Sequence, residues 1–449
     1  MARPRPARRT PALLAVPAVA VLVVTVMPGG PALGAPPPAR TTMVDRTDLP
    51  RSPEGGAYGG AISGDGRWVA FWAEDALTVE DTNGLADVYL RDLVTGSLTR
   101  VPGLGDAPRI GGPHGSYAPA ATPVISGNGR IVVYSTQRPQ RTDQPVPAEG
   151  GTYRYDRVTG RLTHLEPLGI DARPRSLTTD GRYLHLTSPD RDLVTAPPAT
   201  TDGGHQSYDY VADLLQGTLV RAVARRPGRL PSELEVTMSG DGRTFAVGSP
   251  VALDGGRTGG LFLRARSSTV YRRVPGAHHR VQASLTADGR FVAFTSDRAL
   301  VRGDTNRISD IYRYDSRTKA VSRVSVTTAG RQCTVPQPLG DIGAVQPLQS
   351  ADGSVVLFES GCQTFSRLYD PSGRLRHLFA RDVRRHTLVP VDVTWTGRQA
   401  YASGVTDRDG FSLGFRVSGD GSKVVFTSNQ GFVRDDAPGP NVYLRAPVR

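Results

Sequence analysis

The chain has 449 residues, with 51 glycines, 36 prolines, 7% aromatic residues and 2 cysteines. That length exceeds what one ordinary hydrophobic core supports, and no long amphipathic helix pattern runs through it, so helical-bundle, Rossmann and barrel readings are poor. The net charge of +12 is almost wholly arginine, since Lys319 and Lys423 are the only lysines. In a chain this rich in Ala, Gly and Pro that bias looks like high-GC coding, and the charges are interspersed. No recognised nucleic-acid motif is present, so nucleic acid is not an expected partner, while anionic wall or extracellular polymers remain electrostatically compatible.

Residues 1–35 have the three parts of a secretory signal peptide: a basic start (Arg3, Arg5, Arg8, Arg9), an apolar run over 12–27, and a small-residue end at Ala32-Leu-Gly-Ala35. Removal of those arginines leaves +8 on residues 36–449. The apolar run is short for a membrane span and carries Pro17, so no permanent span is expected. The expected location is secreted, extracellular or in the cell envelope.

Next comes the first copy of a repeat. Residues 62–101 and 285–324 align without a gap over 40 positions, 17 of them identical. Each copy begins with an Asp-Gly-Arg turn, whose Gly tolerates positive φ, and continues into alternating apolar residues (Val69 and Phe71; Val292 and Phe294). A third-strand pattern, Asp87-Val-Tyr-Leu or Asp310-Ile-Tyr-Arg, and a short outer strand, Leu98-Thr-Arg-Val or Val321-Ser-Arg-Val, follow. The same template recurs at turn glycines Gly66, Gly129, Gly181, Gly242, Gly289, Gly353 and Gly421. Seven units of four short strands predict an all-β, seven-bladed β-propeller over 36–449 as one domain. The last unit ends on its third strand, Asn441-Val-Tyr-Leu-Arg, and Thr41-Thr-Met-Val44 is placed to supply the missing outer strand. Such a clasp removes the open sheet edge, and a capped ring is expected to be monomeric.

The motif series, [ST]-x-D-G-R-x-V-x-F, then D-x-Y-x-x-D, then a Thr-Gly turn and an Arg-Val strand, resembles the WD40-like propeller repeats of the TolB type. The resemblance spans the chain after the leader and implies fold far more than function. The extra N-terminal domain through which TolB acts has no counterpart ahead of the first unit, so the TolB role is not implied. Propeller-type oligogalacturonate lyases resemble this repeat type too, but their metal-binding residues find no match here.

Three groups of residues are candidates for chemistry. Asp81, Asn83 and Asp87, and again Asp304, Asn306 and Asp310, form D-x-N-x-x-x-D, which resembles the start of a calcium loop; without a distal bidentate Glu, Asx-turns that orient the loop are the competing reading. Calcium is the one cofactor the chain suggests. His114, His205, His278 and His279 fall in loops on the face of the variable connections, where they could converge on the channel, although no spacing motif ties them together. Cys333 and Cys362 lie in two loops of the sixth unit on that same face, and a disulfide between them suits an exported protein, with two separate thiols the alternative. No G-x-S-x-G nucleophile motif is present. Carboxylates such as Glu74, Asp75, Glu233 and Glu235 could pair in space. The expectation is a non-catalytic binding scaffold for a protein or glycan, with a polysaccharide lyase or glycosidase acting at the channel, with or without a metal, as the alternative.

Overall fold

The computed structural model describes residues 39–448 except for 48, 50–54, 83–85, 102–122, 137–149, 170, 191–192, 195–206, 224–233, 279–281, 335–342, 367–375, 401–413 and 437–438. Seven antiparallel four-stranded sheets form the blades of the ring. From the inside outward, blade one is Ala57–Ile62, Trp68–Ala73, Asp87–Asp92 and Leu98–Arg100. Blade two is Val124–Ile125, Ile131–Thr136, Gly151–Asp156 and Arg161–His164; blade three is Arg173–Leu177, Tyr183–Ser188, Tyr208–Asp213 and Thr218–Arg221. Blade four is Glu235–Met238, Thr244–Ser249, Gly260–Ala265 and Tyr271–Arg273; blade five is Ala283–Leu285, Phe291–Ser296, Asp310–Asp315 and Val321–Arg323. Blade six is Ala344–Gln349, Val355–Ser360, His377–Asp382 and Thr387–Pro390. Blade seven takes Phe415–Val417, Val424–Ser428 and Asn441–Ala446 from the C-terminal end and its outer strand, Arg40–Met43, from the N-terminal end. Thr41 pairs with Arg445 and Met43 with Tyr443, which is the expected clasp.

The core is divided among the blades. Seven apolar clusters each sit between two neighbouring sheets, so every blade is sandwiched and no single core has to grow with the chain. The repeated third-strand aromatic is buried in each blade, and in blades one, two, six and seven it stacks on its cross-strand partner, as Phe71 on Tyr89 (5.9 Å), Phe358 on Phe379 (5.9 Å) and Phe426 on Tyr443 (5.5 Å).

The turn between first and second strands explains the repeated Ser/Thr and Asp. In all seven blades the leading hydroxyl (Ser63 in blade one, Ser418 in blade seven) hydrogen-bonds the Asp or Asn two residues on. The same hydroxyl accepts the backbone N–H that opens the second strand. Backbone bonds then run from each turn to the next around the axis: Asp65 to Gly127, Asn128 to Thr179, Thr179 to Gly240, Asp241 to Ala287, Ala287 to Ala351, Asp352 to Gly419, and Gly419 to Gly64. The ring of turns thus closes on itself. A Cβ at Gly419 would stand 2.6 Å from the Gly64 carbonyl oxygen, so that closure requires glycine there.

Candidate functional site

The ring of turns occupies one face, and the variable loops together with the blade-to-blade connections occupy the other. On the loop face the channel widens into a cavity of about 530 Å³, lined by the inner strands of blades three to seven and by the second and third strands of blade three. Arg175, Glu235, Gln282, Gln346 and Arg416 face it from the inner strands; His185, Thr187 and Asp209 complete one wall. These inner strands read poorly as apolar strands because one side of each faces the aqueous channel.

Two of the inner strands are bulged at this site. In blade three the pairing slips between Pro174 and Ser176, which puts Arg175 on the bulge; in blade six it slips between Val345 and Leu348, which does the same for Gln346. Gln346 has φ 54°, a left-handed conformation that costs a non-glycine residue of order 1 kcal/mol or more. Bulges of this kind re-aim side chains and gather beside functional sites. Arg175 Nε donates to Thr187 Oγ1 at 3.1 Å, which fixes the guanidinium against the wall.

His185 is buried between Leu184 and Leu186, and its Nε2 lies 2.8 Å from Asp209 Oδ1. Glu235 is exposed at the start of blade four's inner strand, on the cavity wall. Enclosure by the channel walls, and then the negative charge of Asp209, push its carboxyl above the ordinary glutamate range. The wall therefore sets a His–Asp pair beside a carboxyl biased toward holding its proton.

The sequence candidates fall elsewhere. His278 follows the outer strand of blade four and meets Asp297, beyond the second strand of blade five, at 2.9 Å; it is not among the residues lining the cavity. His114, His205 and His279 lie outside the described residues. So does Glu233, while Glu74 and Asp75 accept the backbone N–H groups of Gly56 and Gly55 and hold the entry to blade one.

The D-x-N-x-x-x-D aspartates brace their own blades. Asp304 accepts the Tyr312 hydroxyl in a short hydrogen bond, and Asp81 does the same for Tyr89. Arg323 Nη1 then sits 3.2 Å from Asp304 and 3.5 Å from Asp310; Arg100 Nε sits 2.9 Å from Asp87 and 3.9 Å from Asp81. A guanidinium stands where a cation would bridge the two carboxylates. Asn306 Nδ2 donates to Asp310 at 3.0 Å and its Oδ1 accepts from Ile308 N, an Asx-turn; Asn83 lies outside the described residues. Among the described residues no three His, Cys, Asp or Glu side chains gather as metal ligands. Cys333 and Cys362 are joined in a buried disulfide that ties the approach to blade six to the end of its second strand.

No family model matches the chain, and no curated protein matches it. Solved structures do. An oligogalacturonate lyase from Vibrio parahaemolyticus is similar at a TM-score of 0.51 with 14% identity, over 90% of this chain and 93% of the other. The β-propeller domain of the Trilobed protease from Pyrococcus furiosus, described as having an open velcro topology, gives 0.50 with 11% identity over 88% and 98%. TolB from Acinetobacter baumannii gives 0.40 with 14% identity over 81% and 76%. The chain is a seven-bladed propeller, and strand pairing between its two ends clasps the ring. At these identities the likeness concerns the fold alone. No helix among the described residues is long and apolar enough to cross a membrane.

Proposed function

We propose that this is an exported propeller that binds a glycan, without turning it over, at the channel mouth on its loop face. The observation that carries the reading is the polar, walled cavity of about 530 Å³, with Arg175 and Gln346 turned into it by bulges. Concave sites with a few fixed polar groups are where propellers and other scaffolds hold ligands. Arginine, glutamine and carboxylate side chains supply both donors and acceptors, which suits a hydroxyl-rich ligand. Export is supported by the leader-like N-terminal sequence and by the buried disulfide, which persists in oxidising compartments.

The experiment is a glycan-array and pull-down screen on the protein beginning at residue 36, beside Arg175→Ala and Glu235→Gln. Retention of a defined glycan class by the wild type, weakened at least tenfold in Arg175→Ala, is the expected result. Capture of a protein partner with no glycan retained would overturn it.

A second reading has its own observation. The His185–Asp209 pair beside Glu235 is an arrangement general acid–base catalysis can use, because an imidazole can accept a proton and a carboxyl of raised pKa can donate one. A lyase or glycosidase acting on an acidic polysaccharide would then release new chain ends from polygalacturonate, with Glu235→Gln abolishing release. Sensitivity of that release to a chelator would mark metal dependence.

A further inference from the structure

A second cavity, of about 460 Å³, lies on the opposite face, in the groove between blades four and five. The turn ends of the two blades build it. Val270 and Arg272 come from the start of blade four's outer strand, Ala265 from the end of its third strand, and Arg317 and Lys319 from the last turn of blade five.

A break in the repeat leaves an acid out of this groove. In blades one, two, three and five the arginine after the turn glycine is matched by an aspartate closing the third strand: Arg67–Asp92 at 2.7 Å, Arg130–Asp156 at 2.8 Å, Arg182–Asp213 at 2.8 Å and Arg290–Asp315 at 2.7 Å. The arginine holds each of these carboxyls below the usual carboxylate range. In blade four the equivalent strand end is Ala265, opposite Thr244 in the register, and that carboxylate is missing. Arg243 is left exposed, with no carboxylate partner among the described residues.

The acids that line or border the groove have hydrogen-bond or ion-pair partners of their own. Asp288 accepts the Thr286 hydroxyl at 2.6 Å and the Arg290 amide at 3.0 Å within its own turn, and Asp315 is bound to Arg290. Arg273 is paired to Asp254 at 2.9 Å, and the Arg264 guanidinium donates to the Ser268 carbonyl at 2.7 Å. Arg272, Arg317 and Lys319 make no ion pair with a carboxylate among the described residues, Lys319 Nζ donating instead to the Ser316 carbonyl, so the groove carries more positive charge than the single Asp288 in its lining offsets.

We propose that this groove is a second binding site, for an anionic glycan bearing carboxylate or sulfate groups. The cavity falls within the range of about 300–1,000 Å³ typical of ligand sites, more room than one small anion needs. Three cations along one groove match repeated anionic groups, each contact displacing counterions from the polymer. The aromatic ring in the lining, Tyr314, is buried to 5% exposure, so no platform for base stacking is offered and nucleic acid is disfavoured.

The test titrates the protein from residue 36 with a heparin oligosaccharide (sulfate), a polygalacturonate fragment (carboxylate) and a single-stranded oligonucleotide, at several salt concentrations. Wild type is compared with the triple variant Arg272→Ala, Arg317→Ala, Lys319→Ala. Two further variants are added: Arg257→Ala as a control, which removes an exposed arginine from a loop on the opposite face, and Arg175→Ala, which reports binding at the channel. The expected result is binding of at least one glycan, weakened about 30-fold in the triple variant, with the log–log salt slope reduced by roughly 2–3. Arg257→Ala binds as wild type, and thermal unfolding of the triple variant is unchanged. Equal weakening in Arg257→Ala, binding lost in Arg175→Ala but kept in the triple variant, tighter binding of the oligonucleotide than of either glycan, or no binding at all would each overturn it. The proposal stands or falls apart from the channel reading, since the two sites share no residue.

Discussion

Closure of the ring depends on a buried carboxyl, and this gives the clasp a pH dependence of defined sign. Asp45 follows the N-terminal outer strand of blade seven. Its Oδ1 accepts the Val442 N–H at 3.2 Å, and the Val44 N–H donates to the Val442 carbonyl at 2.7 Å. Burial raises its pKa to about 7; two backbone N–H groups oppose this, Asp436 adds a smaller upward push, and Arg91 pulls it down. An aspartate in the unfolded chain titrates near 3.9, about three units lower. The folded state therefore holds the proton more tightly, and the stability this provides is full below about pH 4, falls through pH 4–7 and is gone above pH 7. At roughly 1.4 kcal/mol per unit, the loss comes to about 4 kcal/mol. Asp45→Asn keeps an acceptor for Val442 and cannot ionise. The stability of the variant minus that of the wild type should rise by that amount between pH 4 and pH 8, the contributions of the other carboxylates cancelling in the difference. Urea unfolding at both pH values measures it. Hydrogen exchange at the Val44 and Val442 amides reports the clasp itself, with slower exchange expected in the variant at pH 8. Parallel stability curves for the two proteins across this range would refute the reasoning.

Two further outcomes follow from the same interactions. Replacing Cys333 and Cys362 by serine reopens a loop of 29 residues' separation and should lower stability by about 3–4 kcal/mol, read by urea unfolding with and without reductant. Tyr312→Phe leaves Asp304 buried beside Arg323 without its hydroxyl donor and should cost about 1–3 kcal/mol, while Tyr314→Phe, whose hydroxyl makes no hydrogen bond among the described residues, should be nearly silent.

The residues that announce the fold in sequence are those whose role is local. Gly66 and its six counterparts all have positive φ, which is why they stand out in the sequence, and the absence of a strand after Arg445 pointed to Thr41–Val44 as its replacement. The partners of the Asp-x-Asn motif were harder to see. Asp304 is eight residues from Tyr312 and nineteen from Arg323, and only the blade's meander brings the three together. The channel wall was the least legible. His185 sits between two leucines inside a second strand and reads as core, and Asp209 looks like a strand residue among tyrosines. One signal was available: Arg173-Pro-Arg175 and Gln346-Pro347 place polar side chains and proline in inner strands, where only a water-facing channel and bulged pairing tolerate them.

The two faces obey different constraints, and this determines where departures from the repeat carry meaning. On the turn face each blade must offer the same hydroxyl, the same carboxyl or amide oxygen and a small residue to the ring of backbone bonds, so the sequence there has little freedom. On the loop face no such ring exists, and length and composition vary from blade to blade. Variation on the loop face is therefore weak grounds for function until geometry selects among its residues, as the bulges at Arg175 and Gln346 do. A departure on the constrained face is more informative. Ala265 gives up an ion pair that four other blades keep, and it does so where the neighbouring blade turns Arg317 and Lys319 into the same groove. Loss of a stabilising carboxylate at that one position raises the local positive potential, and a ligand that supplies the missing anion would restore the balance.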